Sequence, residues 1–246
     1  FFSVKNTETK STDEEQQLSL TYFAVTNNKP AFAIETSKNI TDLTHKVIYQ
    51  LKSIEEFMKV MDIEFERDFD LNNYETVEKL LTEFGTLSIN NNIKIDLTNI
   101  RREIRFFPMK NSKNSFNFEH TLGNIKEVKD TYEVYIGNQR VTVLVPEIFE
   151  MYDAKDKIKL EIDGKIIENK LGNIIEVENS FKIIKSPYRV NIIGYSKDGV
   201  DSEEEILLTK DDIQDSYSID IKNSQYRAEF YKDNKFSGML IIKFKK

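Results

Sequence analysis

The chain has 246 residues, 39% hydrophobic and 31% charged, with a net charge of −7. These proportions belong to a folded globular chain, and the length suggests one to three domains. No stretch approaches the ~18 unbroken apolar residues of a membrane span, and the acidic balance argues against non-specific nucleic-acid binding, which needs a basic patch to neutralise phosphates.

Cysteine is absent and only two histidines occur, His45 and His120. Disulfides, thiolate metal sites and a Cys nucleophile are thereby ruled out, and a zinc site of two or three imidazoles is nearly excluded from this chain alone. The sequence opens on Phe1-Phe2 in place of Met, as expected of a processed protein or a piece of a longer one.

In chain order, Thr12-Asp13-Glu14-Glu15 is a capping-box pattern that predicts a helix to about Thr26, broken by Asn27-Asn28-Lys29-Pro30. Ala31-Phe32-Ala33-Ile34 is a short apolar run, expected to be a strand buried on both faces. Ile40, Leu43, Val47, Leu51, Ile54, Met58 and Met61 step by three or four, which predicts a helix capped by Thr41 or Asp42. A further helix is predicted across Tyr74 to Phe84.

From about Gly85 the apolar period changes to two. Ile93, Ile95 and Leu97 alternate with polar residues, as do Tyr132, Val134 and Ile136, and Val141, Val143 and Val145. Ile158, Leu160 and Ile162 lead into Asp163-Gly164, and Tyr188, Val190 and Ile192 into Lys197-Asp198-Gly199. Tyr226, Ala228 and Phe230 precede Asp233-Asn234 and a last strand, Met239 to Phe244. Asp-Gly between alternating runs is a hairpin signal, and strands at this spacing suggest small barrels or sandwiches. The predicted fold is an α/β fragment over residues 1–72, followed by two small antiparallel β domains. The first, 73–153, has a leading helix; the second, 154–246, is sandwich-like, of immunoglobulin type.

Glu35 is the residue in an energetically awkward place. It ends the apolar run, so its carboxylate is expected at the margin of a buried sheet, where it needs either a partner or a function. Functional groups gather at the carboxyl ends of strands in α/β sheets. A structural carboxylate, paired with Lys38 or capping the next helix, is the equally open alternative. His45 and His120 have no second histidine at metal-ligand spacing. Thr36 and Ser37 have no histidine placed to activate them. Arg101-Arg102-Glu103-Ile104-Arg105 beside Phe106-Phe107 interleaves cations with aromatics, a pattern seen in single-strand nucleic-acid binders. On an acidic chain it reads better as a solvated strand face or an interdomain contact.

The segment Leu20 to Lys38, and Phe32-Ala33-Ile34-Glu35 within it, resembles the end of a carboxypeptidase A-like zinc carboxypeptidase domain, where a helix precedes a buried strand that delivers the catalytic glutamate. The Ile-Glu-Thr-Ser-Lys form, with a long helix and a β-rich tail, resembles more closely the D,L-carboxypeptidases that trim peptidoglycan in helical Gram-negative bacteria. By motif the resemblance covers roughly the first 70 residues. It implies that Glu35 is the catalytic base, that zinc is the cofactor with ligands upstream of residue 1, and that the reaction removes the terminal D-Ala from a murein tetrapeptide. It further implies a periplasmic location, peptidoglycan stem peptide as substrate and an amino-terminal portion of the same enzyme as partner, with neither nucleic acid nor a membrane span involved. A non-catalytic module that binds cell wall or protein is the alternative, motivated by the missing zinc ligands and the β-rich majority of the chain.

Overall fold

The computed structural model describes residues 17–197 and 199–245. The chain divides into two compact units, 1–81 and 82–246. The capping box at Thr12–Glu15 and Asp198 of the third turn lie outside the described residues.

The first unit is helical. Helix α1 spans Leu20–Thr26, and the Ser19 hydroxyl accepts from the Tyr22 amide at 3.1 Å. Helix α2 spans Leu43–Val60 and α3 spans Tyr74–Thr82. Asp42 is the N-cap of α2, accepting from the amides of Thr44 and His45 at 3.2 and 3.1 Å, which satisfies two donors that no carbonyl of the helix can reach. Ile48, Leu71 and Val77 form the buried centre, with Val47, Leu51, Phe69 and Tyr74 packed around it. Helix α1 buries none of its residues.

The strand expected at Ala31–Ile34 does not form. Residues 31–37 carry no regular structure, and Phe32 is 68% exposed with its ring stacked on Phe57 at 4.8 Å. A two-sided buried strand requires a neighbouring strand to pair its amides and carbonyls, and among its described residues this unit contains helices only.

The second unit contains fifteen strands among its described residues. The first seven are β1 (Thr86–Ile89), β2 (Ile93–Asp96), β3 (Glu103–Lys110), β4 (Phe116–Phe118), β5 (Gly123–Val128), β6 (Thr131–Ile136) and β7 (Gln139–Phe149). They make two sheets, in the orders β2-β1-β4 and β3-β7-β6-β5. The remainder are β8 (Ile158–Ile162), β9 (Lys165–Asn169), β10 (Asn173–Val177), β11 (Ser180–Ile183), β12 (Arg189–Ile192), β13 (Leu208–Thr209), β14 (Gln225–Lys232) and β15 (Lys235–Phe244). These make sheets β10-β15-β14-β12 and β13-β11-β8-β9.

The β10-β15-β14-β12 sheet is the middle layer. Successive side chains of a strand point to opposite faces, and both faces here are covered. Tyr226, Ala228, Phe230, Leu240 and Ile242 pack with Ile158, Leu160, Phe181 and Ile183 on one side. Tyr231, Met239 and Ile241 pack with Leu87, Ile93, Ile95, Phe107 and Leu144 on the other. Two-sided burial explains why Met239-Leu240-Ile241-Ile242 reads as an unbroken apolar run. The strands before and after residue 154 thus share a core through β14 and β15.

Three details depart from the expected antiparallel barrels and sandwiches. Among the described residues no sheet closes on itself. Two pairs, β3 with β7 and β10 with β15, are parallel, which the long connections between them permit. Strand β12 pairs with β14 and not with the next strand in sequence, so the Lys197–Gly199 turn joins no hairpin. The Asp163-Gly164 and Asp233-Asn234 turns do join hairpins, β8 with β9 and β14 with β15, with φ of 49° and 77°, and 51° and 60°. Two consecutive positive φ angles are what a two-residue type I′ turn requires.

Candidate functional site

Glu35 is exposed, on the extended stretch between α1 and α2. Neither of its structural alternatives is realised: Asp42 caps the following helix, and Glu35 makes no ion pair with Lys38 among the described residues. A carboxylate without a local partner is free to meet a ligand or another part of an enzyme.

Beyond it, the starts of α2 and α3 carry a polar cluster. The Asp42 carboxylate meets the His45 ring at Nδ1 and accepts from the Tyr74 hydroxyl at 3.2 Å, while the His45 and Tyr74 rings lie 4.9 Å apart. Burial pushes the Asp42 carboxyl up, but donors from His45, Thr44 and Tyr74 outweigh it and hold the group below the usual carboxylate range. One histidine and one carboxylate fall short of the three protein ligands of a catalytic zinc site. Among the described residues no group of three metal-binding side chains converges. The described residues therefore do not by themselves make a zinc centre.

His120 belongs to the second unit, in an open cleft of about 550 Å³ with Thr86, Asp96, Glu119 and Lys243. Its Nδ1 accepts from the Leu122 amide at 3.1 Å. Glu119 accepts from the amide and hydroxyl of Thr86 at 3.1 and 3.0 Å, and Lys243 pairs with Asp96 at 2.6 Å. Thr86 with Glu119 and Asp96 with Lys243 satisfy one another, and His120, accepting from an amide of its own turn, has a structural part there.

The Arg101–Arg105 segment splits by role. Arg101 donates to the Asp215 carbonyl at 3.0 Å and to Asn223 at 2.8 Å, tying the segment before β3 to residues 215–223. Arg102 and Arg105 are exposed, and Arg105 pairs with Glu103 at 2.5 Å. Phe106 lies 68% exposed with φ of 52°. Its place beside the basic cluster is evident in the sequence, but nothing in a phenylalanine's identity announces a left-handed backbone.

The exposed Glu35 within the Ile-Glu-Thr-Ser-Lys motif, preceded by a helix and followed along the chain by a large β unit, points to the carboxypeptidase class. Residues 1–82 match the model of the carboxypeptidase controlling helical cell shape, catalytic part, and residues 151–245 match the C-terminal domain of metallo-carboxypeptidase. The chain belongs to this family of cell-shape-controlling metallo-carboxypeptidases. Among solved structures it is similar to the apo cell shape determinant protein Csd4 from Helicobacter pylori, at 33% identity and a TM-score of 0.70, covering 95% of this chain and 57% of that one. The tripeptide-bound form of Csd4 matches at 34% identity and a TM-score of 0.70, covering 98% and 58%. The mDAP-bound form of Helicobacter pylori Csd4, a D,L-carboxypeptidase, matches at 33% identity and 0.69, covering 94% and 57%. The chain thus spans less than two thirds of the length of these relatives. A search of curated proteins returns no match.

Proposed function

We propose that this chain is part of a periplasmic zinc D,L-carboxypeptidase that removes the terminal D-Ala of peptidoglycan tetrapeptides, leaving tripeptides, and so contributes to cell shape. The observation that carries the reading is the match of residues 1–82 to the catalytic part of the family, with the exposed Glu35 inside it. In this reading Glu35 accepts a proton from the attacking water and delivers it to the departing amine nitrogen. In this reading the zinc is not held by the described residues alone, among which no three metal-binding side chains converge. The stem peptide is the substrate, a chemistry consistent with the tripeptide and mDAP bound by relatives.

The partner in this reading is the amino-terminal portion of the same carboxypeptidase domain. Leu20, Phe23, Phe32 and Val60 are exposed apolar side chains of the first unit; apolar exposure of this kind marks a surface that another layer covers. The domain plan of the reading has three parts: 1–72 as catalytic remainder, 73–153 as a β-rich domain and 154–246 as a sandwich-like domain. The range matched by one family model, 151–245, begins close to the third part.

The test is metal and product together. The complete enzyme is expected to hold one zinc equivalent by elemental analysis and to release D-Ala from purified tetrapeptide. A preparation that contains no metal and leaves tetrapeptide intact contradicts the reading.

A further inference from the structure

A buried cation and a buried carboxylate lie two residues apart on β14, and so on one face of it. Arg227 is 6% exposed and Glu229 3%. The Arg227 guanidinium donates to the Phe106 carbonyl at 2.8 Å and reaches the Arg105 carbonyl at 3.4 Å. Those carbonyls belong to a slip in the β3–β7 register, which runs from Ile104↔Leu144 directly to Phe107↔Pro146. Phe106 sits in the slip at φ 52°. A bulky side chain avoids that conformation and keeps it only where its surroundings impose it. Arg227 supplies part of that constraint from the inner side.

The pair beneath the slip is closed imperfectly. The Tyr231 hydroxyl donates to Glu229 Oε2 at 2.5 Å, whereas Arg227 stands 3.4 Å from Oε1. Among the described residues no hydrogen-bond donor reaches Oε1, and Arg227 Nε finds no acceptor. Two further charged groups bear on Glu229. One is Arg189 of β12, its guanidinium 4.6 Å from the centre of the Tyr231 ring, and the other is Glu147 of β7. Opposite Glu229 in register stand Asn191 and Met239, which carry no charge. Burial pushes the Glu229 carboxyl above its ordinary 4.5, and Glu147 adds to this, against Arg227, Tyr231 and Arg189. Burial, with Glu229 beside it, also pushes the Tyr231 hydroxyl up, so it stays a donor.

We propose that Glu229 and Arg227 form a proton-operated clasp on β3. Ionised Glu229 keeps Arg227 inside, on the carbonyls of Phe106 and Arg105; a proton taken from solvent onto Glu229 Oε1 releases Arg227 and slackens the bulge. In either state the pair leaves the layer without net charge. Closed, a guanidinium and a carboxylate neutralise each other. Open, a neutral acid remains on Tyr231 and the guanidinium reaches water at the rim where Arg105 and Phe106 are already exposed. Each event assists the other, because a buried carboxylate that loses its cation is harder to keep ionised. Arrangements with one charge alone in the layer are costly, which gives the element the two discrete states a switch needs. Relief of the left-handed Phe106 backbone favours opening. A carboxyl raised on folding takes its proton above its unfolded value, so the open state gains as pH falls towards about 5 while this group adds no global destabilisation. The clasp belongs to the β unit and does not depend on the carboxypeptidase reading.

The test is hydrogen exchange of the whole chain, read by mass spectrometry and corrected for the intrinsic pH dependence of exchange. Between about pH 7 and about pH 5 the protection of residues 103–110 is expected to fall about tenfold, while that of β8 holds. Glu229→Gln, neutral at every pH, is expected to show the loosened segment already at about pH 7 and no further change on acidification. Glu147→Gln, on an exposed residue, is expected to keep the response and move it to lower pH. A wild-type segment whose protection does not change with pH overturns the proposal, as does a Glu229→Gln chain that keeps the wild-type response. Should Glu229→Gln fail to fold, infrared spectra of the wild type decide. The band of a protonated carboxyl must grow in step with exchange in 103–110, and exchange that rises without it overturns the clasp.

Discussion

Arg227, 6% exposed, donates to the backbone carbonyl of Phe106 at 2.8 Å and pairs with the equally buried Glu229 at 3.4 Å. Glu229 in turn accepts from the Tyr231 hydroxyl at 2.5 Å. This charge pair is sealed between the middle sheet and β3. Its cost of desolvation is offset only while both partners and their hydrogen bonds are present.

Arg227→Ala is therefore expected to destabilise the chain by about 3–5 kcal/mol, because it strands the Glu229 carboxylate in an apolar layer. Arg227→Met combined with Glu229→Leu, which leaves no charge behind, is expected to recover half or more of that loss. Urea unfolding measures both. Equal losses in the single and double variants contradict the assignment of the cost to an orphaned charge.

Asp220 provides a prediction in pH. Burial pushes its carboxyl up, but the Ser218 hydroxyl at 2.5 Å, the Gln225 and Ser224 amides at 2.8 Å and the Ser224 hydroxyl at 2.8 Å outweigh burial and hold it below its ordinary 3.8. A carboxyl depressed on folding contributes stability above its unfolded value, and that contribution fades as pH falls through the folded value. Asp220→Asn is expected to cost about 1–3 kcal/mol at pH 7, with the gap to wild type narrowing below about pH 4. A gap that stays constant from pH 7 to 3 in thermal unfolding contradicts the depressed carboxyl.

The β1–β2 turn presses its backbone onto the middle sheet. The Met239 amide donates to the Asn92 carbonyl at 3.0 Å, and a Cβ on Gly238 would lie 2.8 Å from that oxygen at a φ of 144°. Gly238→Ala adds a backbone clash to conformational strain. Gly164, at φ 77°, has nothing within 4 Å of its own added Cβ and carries strain alone. Gly164→Ala should lose about 1–2 kcal/mol and Gly238→Ala clearly more; the reverse order in urea unfolding denies the close approach.

The β unit was largely legible in the sequence because its strands alternate. Ile158-Leu160-Ile162, Val190-Ile192 and Tyr226-Ala228-Phe230 all lie in strands, with Tyr188 just before β12, and each set contributes to the core between the second pair of sheets. Alternation does not say which strand neighbours which, so the parallel β10–β15 pair and the β12–β14 pair were hidden. Pro146 concealed the continuation of β7 to Phe149, though a strand can carry proline where its amide is not needed. The Ile40–Met61 stripe and the Asp42 cap were legible for the same local reason. The Ala31–Ile34 strand was not, because pairing depends on neighbours that local pattern cannot supply. Glu35 stood out through its motif and Phe106 through its basic neighbours, whereas the left-handed backbone at Phe106 goes with a register slip visible only in three dimensions.

The central claim is that Glu35 moves the proton in a D,L-carboxypeptidase. It is tested most directly by the rate at which the complete enzyme converts purified muropeptide tetrapeptide to tripeptide and D-Ala, compared between wild type and Glu35→Gln. General acid–base catalysis contributes typically about 10²–10⁴-fold, so the variant is expected to lose at least about a hundredfold in kcat while zinc content is unchanged. Trimming at the wild-type rate by a Glu35→Gln enzyme with its metal in place would contradict the account.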